Sequence, residues 1–210
     1  MNTNKVGIVD YDAGNLRSVV NAVRKAGAEP VISEKAEALS SCSRIILPGV
    51  GEASTAMRKL KERGLDTFIP GLKVPVLGIC IGLQLMCLSS DEGDTECMGI
   101  FPSRVRRITD LPLAGEEEGR IKIPHMGWNT LSPYNKGWGT PLLEGLGESP
   151  FVYYVHSFAA TLSEATLATT GYGGRTFSAV LRKDNFIGCQ FHPEKSGPIG
   201  EIIIKNFLTI

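Results

Sequence analysis

The chain has 210 residues, with 22 Lys+Arg balanced by 22 Asp+Glu and 42% hydrophobic content, which fits one globular domain with a substantial core. Zero net charge argues against a nucleic-acid surface, and the nearest approach to a basic run is only Arg104-Val105-Arg106-Arg107. No stretch has the apolar length of a signal peptide or bilayer span, and the five scattered cysteines form no C-x-x-C pair, so the expectation is a reduced, cytoplasmic protein with no disulfide framework, metal site or membrane association.

In chain order, Lys5–Tyr11 reads as a buried strand. Leu16, Val19, Val20 and Val23 then recur at the spacing of a helix that Gly27 can close. Pro30–Ser33 and Arg44–Leu47 read as short strands, the second ending at Pro48-Gly49-Val50-Gly51. Ala53, Ala56, Met57 and Leu60 repeat the helical spacing, with Gly64 as a stop. Val74–Ile79 is the next strand, followed by a helix through Leu83–Leu88. This alternation implies an α/β protein with a mostly parallel sheet and helices on both faces. From about Gly99 to Val180 the pattern shifts to short β-type runs (Ile121–Pro124, Phe151–Val155, Thr166–Thr170, Ser178–Leu181) among Gly and Pro, an antiparallel extension with long loops. A strand over Phe186–Phe191 and an apolar helix from near Pro198 close residues 1–210 as a single domain, without repeats or linkers.

Functional sites in parallel sheets gather at the carboxyl ends of strands, and three unusual segments fall there. Gly78-Ile79-Cys80-Ile81-Gly82 has small residues two before and two after a cysteine, as a nucleophile elbow requires where neighbouring backbone crowds a tight turn. A helix N-terminus at that point favours the thiolate. Cys87 and Cys189 sit in apolar runs without such glycines and read as small buried hydrophobes. Gly188-Cys189-Gln190-Phe191-His192-Pro193-Glu194 offers a base and an orienting acid two residues apart, on one side of an extended segment. Gly49-Val50-Gly51 can bring backbone N–H groups close to a ligand. Together with the N–H of Ile81 they suit an oxyanion hole, and two glycines around one peptide would let its N–H turn. A lone P-G-x-G is also found in plain strand-to-helix turns. His125 and His156 are read as structural or substrate-loop residues. Asp12-Ala13-Gly14-Asn15 lacks the G-x-G-x-x-G pattern of a dinucleotide site.

Gly78-Ile-Cys-Ile-Gly-Leu-Gln-Leu-Met86 together with Phe191-His-Pro-Glu194 resembles the triad-type, class I glutamine amidotransferases. Pro124-His-Met-Gly-Trp-Asn129, Tyr154-Val-His-Ser157, Asp10-Tyr-Asp-Ala-Gly-Asn15 and His192-Pro-Glu-Lys-Ser196 narrow the resemblance to one branch of that family. Its members are glutaminase subunits that pass ammonia to a separate (β/α)8-barrel cyclase subunit in histidine biosynthesis. Ile81 departs from a usual Leu, and Ala114–Glu118 looks like a local insertion. The resemblance implies a flavodoxin-like fold, a Cys80–His192–Glu194 triad and no cofactor. It implies glutamine contacts from Gln84, Gly51, Ser157 and Phe158, and a heterodimer interface including Asn15, Trp128, Tyr153 and Lys195. The triad alone would also suit a paralogous subunit feeding another synthase, such as one making an amino sugar, or a Cys-His-Glu peptidase. A non-catalytic protein on the same fold would be marked by loss of Cys80, His192 or Glu194, and none is lost.

Overall fold

The short apolar runs in the first half of the chain are uniformly hydrophobic rather than alternating, the mark of strands covered on both faces. A computed structural model describes residues 4–12, 16–114, 121–134, 138 and 140–210. The runs become β1 (Lys5–Val9), β2 (Glu29–Ser33), β3 (Arg44–Leu47) and β4 (Val76–Ile79), interleaved with α1 (Leu16–Lys25), α2 (Ala36–Ser40), α3 (Ala53–Glu62) and α4 (Leu65–Phe68). Helix α5 (Ile81–Leu85) follows β4 after a single residue. The second half adds β5 (Ser89–Ser90), β6 (Thr95–Glu96), β7 (Arg104–Arg107), β8 (His125–Thr130), β9 (Ser132–Pro133), β10 (Phe151–His156) and β11 (Phe158–Ala160). It closes with β12 (Thr166–Tyr172), β13 (Arg175–Lys183), β14 (Phe186–Cys189) and α6 (Gly197–Phe207).

The main sheet runs β2-β1-β3-β4-β14-β13-β12-β9. Its first five strands are parallel, in the flavodoxin-like order second-first-third-fourth-fifth. Strands β13, β12 and β9 then extend the sheet antiparallel, as the change of pattern in the sequence predicts. Every residue of β4 and β14 is buried. Because successive strand side chains point to opposite faces, both faces of the central sheet are covered. Helix α1 contributes Val19, Val20 and Val23 to the core, and α3 contributes Ala53, Ala56, Met57 and Leu60. These are positions their helical spacing selects, with Leu16 only partly buried against the core, and burying a side chain as large as Leu or Met is worth about 1.5–3 kcal/mol. Gly27 and Gly64 take positive φ just beyond α1 and α3, where a left-handed residue ends a helix without steric cost. No helix among the described residues is long and apolar enough to cross a membrane.

Three local expectations need correction. Ile121–Pro124 forms no strand. The strand begins at His125 and pairs antiparallel with β10, from His156↔His125 to Phe151↔Thr130, as a separate two-stranded ribbon. Helix α5 stops at Leu85 rather than reaching Leu88, because the chain turns into β5 and leaves Leu88 exposed. Strand β14 ends at Cys189, so Phe191 lies beyond it. The suggested insertion at 114–118 falls outside the described residues except for Ala114.

Candidate active site

Parallel register brings three strand ends to one level: Leu47 of β3 lies opposite Gly78 of β4, which in turn lies opposite Gly188 of β14. The chain therefore leaves the sheet at Pro48-Gly49, at Cys80 and at Gln190 side by side. Cys80 is the one residue between β4 and α5, and it holds φ 53, ψ −106, a strained backbone for any residue but glycine. Its N–H continues the ladder to the Cys189 carbonyl at 2.8 Å and its carbonyl accepts from Gln84 N–H at 3.2 Å, so hydrogen bonds on both sides hold the strain.

The glycines around the elbow are there for space. A Cβ at Gly82 would fall well inside contact distance of the Leu47 carbonyl oxygen, and one at Gly78 would lie 2.8 Å from the Gly82 carbonyl. A Cβ at Gly49 would lie 2.6 Å from the Ile81 Cβ and 2.9 Å from the Gly82 nitrogen. Gly49 is thus fixed by packing and contributes no freedom to the loop, contrary to the reading that two glycines share that role. Tyr11 pins the same loop, its hydroxyl donating to the Pro48 carbonyl at 2.7 Å. Freedom is confined to Gly51, which has φ +100 and open space where a Cβ would stand.

His192 is buried, and its Nδ1–H donates to Glu194 Oε1 at 2.9 Å. The pair does not form as two residues on one side of a strand. His192 is extended (φ −103, ψ 94), but Pro193–Lys195 is a single 3-10 turn, and that turn swings the Glu194 carboxylate back onto the ring. The Glu194 side chain is only 3% exposed. Burial by itself would lower the His192 pKa from its ordinary 6.5. The neighbouring Cys80 sulfur and the Glu194 carboxylate outweigh burial and hold it up to about 10. The influence of Cys80 acts across the cavity, since His192 Nε2 makes no hydrogen bond in this arrangement.

Cys80, His192, Val50, Gly51, Ile81, Gln84, Ser157 and Phe158 line one cavity of about 340 Å³. Gly49 lies just behind it, against Ile81. Gln84 donates through Nε2 to the Phe158 carbonyl at 2.9 Å and to Gln190 Oε1 at 3.1 Å. Its own Oε1, the second Glu194 oxygen and His192 Nε2 are the buried side-chain N and O atoms without a partner among the described residues. Gln84 and His192 line this cavity, whereas Glu194 stands behind His192. Buried polar groups are otherwise nearly always paired, so the two unpaired atoms on the cavity wall, Gln84 Oε1 and His192 Nε2, mark a surface made to engage a polar ligand.

The cavity also includes Glu92, Pro124 and Val155, which sequence reasoning did not place there, and His156, for which it allowed a structural or a substrate-side place. Glu92 Oε2 accepts the Ala53 N–H at the start of α3 at 2.9 Å, while burial pushes the Glu92 pKa up. No periodicity or motif signals it. His125 and His156 are ribbon residues rather than loop residues. Asn129 Nδ2 lies 3.3 Å from His125 Nε2, His125 Nδ1 lies 3.0 Å from His156 Nε2, and His156 Nδ1 lies 2.8 Å from the Phe158 carbonyl. Asn129 Oδ1 accepts the Thr130 N–H at 2.8 Å and Nδ2 donates to the Gly171 carbonyl at 3.0 Å, so the nitrogen faces His125 and can only donate, while the carbonyl at the other end can only accept. This fixes the tautomers: each imidazole is neutral with its proton on Nδ1. Burial lowers the pKa of His125 to about 4 and that of His156 to about 3, which agrees. Cys87 and Cys189 are fully buried, and burial pushes both thiols well up, as befits core residues.

Trp128, Tyr153 and Lys195 form a separate surface cluster. The Trp128 and Tyr153 rings meet edge to face at 6.0 Å, and Lys195 Nζ stands 5.9 Å from the Tyr153 centroid. Trp128 is 54% exposed beside exposed Met126 and Phe151, an apolar patch of the kind that marks an interaction surface. The patch is tied to the His192 segment. The Tyr153 carbonyl accepts His192 N–H at 2.9 Å, and Ser196 Oγ both accepts Tyr153 N–H and donates to the His192 carbonyl. Asn15 lies outside the described residues.

A strained cysteine on a strand-to-helix elbow, facing a carboxylate-bound histidine across a polar cavity, is equipped for thiol-mediated acyl transfer. The sequence profile of the glutamine amidotransferase class-I family matches residues 7–210, and the chain belongs to that family. Its relatives include the imidazole glycerol phosphate synthase subunit HisH of Bacteroides fragilis (strain YCH46), 50% identical over 98% of this chain and 100% of the relative. The HisH subunit of Idiomarina loihiensis is 42% identical over 98% of this chain and 97% of its own. Among solved structures, a putative GMP synthase subunit from Thermoplasma acidophilum superposes with a TM-score of 0.69 at 19% identity, covering 98% of this chain and 92% of that one. PurLQS from Thermotoga maritima gives 0.67 at 19%, covering 98% and 97%. At that identity the structures speak for the fold, an α/β arrangement around a large, mostly parallel sheet.

Proposed function

We propose that this chain, working as one domain over residues 1–210, is the glutamine-hydrolysing subunit of an imidazole glycerol phosphate synthase. Cys80 is the nucleophile, His192 the proton carrier and Glu194 the acid that orients it. The observation that carries the reading is the strained elbow of Cys80 (φ 53) in one cavity with a His192 already bonded to Glu194. The chain's relatives bear that synthase's name along essentially their full length.

The Cys80 thiolate attacks the side-chain carbonyl carbon of glutamine. The tetrahedral oxyanion turns toward the first N–H of α5, at Ile81, which a helix leaves without an internal acceptor, and toward the Val50–Gly51 backbone. His192, held as an imidazolium by Glu194, donates through Nε2 to the departing nitrogen and releases ammonia. It then takes a proton from the water that hydrolyses the γ-glutamyl thioester, giving glutamate and free Cys80. Gln84 Oε1 and the Glu92 carboxylate face the polar end of the substrate, where Glu92 suits its α-ammonium group.

Ammonia passes to a separate (β/α)8-barrel cyclase subunit, which docks on Trp128, Tyr153, Lys195 and the segment carrying Asn15 to form a heterodimer. The exposed Trp128 patch, bonded through Tyr153 to the backbone of His192, supports this choice of surface over any other. The test is glutamate release by the purified chain with and without that barrel subunit, alongside imidazole glycerol phosphate formation from glutamine. Glutamate release that the barrel subunit leaves unchanged, or no synthase activity on mixing, would overturn the assignment to this synthase.

A further inference from the structure

Gln190 is fully buried one residue past β14, and nothing in the scheme above uses it. The parallel register that pairs Cys189 with Ile79 sets Gln190 level with Cys80. Its backbone N–H is fixed on the Ala179 carbonyl of β13 at 2.9 Å, so the side chain leaves from a rigid sheet position. Its Nε2 lies 3.6 Å from Cys80 Sγ, and its Oε1 accepts from Gln84 Nε2 at 3.1 Å.

The orientation of this amide follows from its neighbours. The Phe158 carbonyl can only accept, so Gln84 must present its nitrogen there and share its two N–H groups between Phe158 and Gln190. Gln190 must then turn its oxygen toward Gln84, which leaves its nitrogen facing sulfur. His156 Nδ1–H, donating to the same Phe158 carbonyl, holds that acceptor in place. Every bond in the chain from His156 through Phe158, Gln84 and Gln190 to Cys80 therefore has a defined direction, and it ends with a donor on the nucleophile.

We propose that Gln190 is a further catalytic residue: its carboxamide N–H steadies the Cys80 thiolate from the side opposite the oxyanion loop, and its oxygen holds Gln84 with Oε1 turned to the substrate. The proposal rests on the reading of Cys80 as nucleophile. An N–H donated to sulfur stabilises the anion over the thiol, and in a buried site one such charge-assisted bond has a large effect. The same residue couples nucleophile and substrate contact, since whatever moves Gln84 moves the donor on sulfur.

The test uses the complex with the barrel subunit and three variants. Gln190→Met keeps the volume and removes both bonds. Gln190→Glu keeps an acceptor for Gln84 but places a carboxylate oxygen against sulfur. Cys80→Ala is the blank. The readouts are kcat and KM for glutamine and the pH profile of Cys80 alkylation by iodoacetamide, followed on the Cys80 peptide by mass spectrometry. The expected result is a fall in kcat of about 10- to 100-fold for both Gln190 variants, with the alkylation midpoint displaced to higher pH. Gln190→Met should also raise KM, and Gln190→Glu should raise it less. If Gln190→Met fails to fold, Gln190→Leu takes its place, because a shift in Gln190→Glu alone would also follow from repulsion between its carboxylate and the sulfur. An unchanged alkylation profile and kcat in a folded variant, with Cys80→Ala inactive, would overturn the role of Gln190 and leave the triad reading intact. Activity retained in Cys80→Ala would instead overturn that reading.

Discussion

The two walls of the candidate site are built in different ways. On one side, β3, β4 and β14 are parallel, buried on both faces and cut off at a common level, with glycines where backbone crosses backbone. On the other side, β8 and β10 form a ribbon whose residues alternate. His125, Tyr154 and His156 point inward, while Met126, Trp128 and Phe151 point to solvent. The first wall holds the reactive cysteine in a strained position. The second joins an outward-facing surface to an inward-facing hydrogen-bond chain one residue away. Changes in the first wall should therefore abolish chemistry or fold together, whereas in the second the two faces should separate cleanly.

The largest effects belong to the parallel wall. Cys80→Ala should lower glutamine turnover by at least about 10⁴-fold in the complex, with His192→Ala close behind and Glu194→Ala less damaging, since an orienting acid is commonly the least costly member to lose. Ammonium salts should still support the barrel subunit's cyclisation with the Cys80 variant. Equal loss of both reactions would place Cys80 in assembly or in the partner's step. Next comes Gly82→Ala, which drives a methyl group into the Leu47 carbonyl of the adjoining strand. Neither backbone can yield, so the loss of stability should reach about 3 kcal/mol or more, read by denaturant unfolding. A Gly82→Ala protein as stable as the parent would mean that the elbow is looser than its packing indicates.

The same contrast explains what could be read in the sequence. The elbow glycines, Cys80 and His192-Pro193-Glu194 are legible because the constraint acts between residues adjacent in the chain or at a strand end that hydrophobic runs delimit. Gly49 is misread for a physical reason: a glycine needed for space looks the same in sequence as one needed for freedom. Half of the ribbon is legible, since Phe151–Val155 reads as a strand and becomes β10. The pairing is not, because His125 meets His156, and Trp128 meets Tyr153, only through the register of two distant segments, and β8 carries no hydrophobic alternation strong enough to announce itself. Glu92 reaches the cavity by way of a turn, held by its N–H on Ser90 Oγ, that no local pattern encodes. Gln190 carries a partial signal, a polar residue two before His192 in an apolar run, but its place beside Cys80 depends on the register of β14 with β4.

On the outward face of the ribbon, Trp128→Ala should weaken binding of the barrel subunit by about 30-fold, the loss typical of an aromatic anchor at an interface centre. Removing a side chain that is 54% exposed should leave the unfolding free energy of the isolated chain within about 0.5 kcal/mol of the parent. Titration calorimetry with the barrel subunit measures the first and denaturant unfolding the second. Unaltered affinity would move the interface elsewhere on the molecule.

The inward face gives the smallest effect, and its sign depends on pH. His125 lies stacked between Tyr154 and Tyr172, with centroids at 4.7 and 4.0 Å. It is neutral, with a pKa lowered by burial from 6.5 to about 4. Above pH 6.5 neither the folded nor the unfolded chain protonates it, and it adds no pH dependence. As the pH falls below 6.5 the unfolded chain takes up a proton that the folded chain refuses, so stability falls, until near pH 4 both states are protonated and the loss is complete. His125→Phe preserves the stacked ring and deletes this term. It also removes the partner of His156 Nε2, so at pH 7.5 the variant should be the less stable protein. On acidification to about pH 5.5 the parent should lose about 1 kcal/mol more than the variant, and the gap between them should narrow by that amount. Carboxylate titrations shared by both proteins cancel in the difference, so paired denaturant curves at the two pH values isolate the imidazole. A gap that stays constant, or widens, would mean that His125 is charged in the folded chain, and the directed chain of hydrogen bonds from Asn129 to Phe158 would then have to be abandoned.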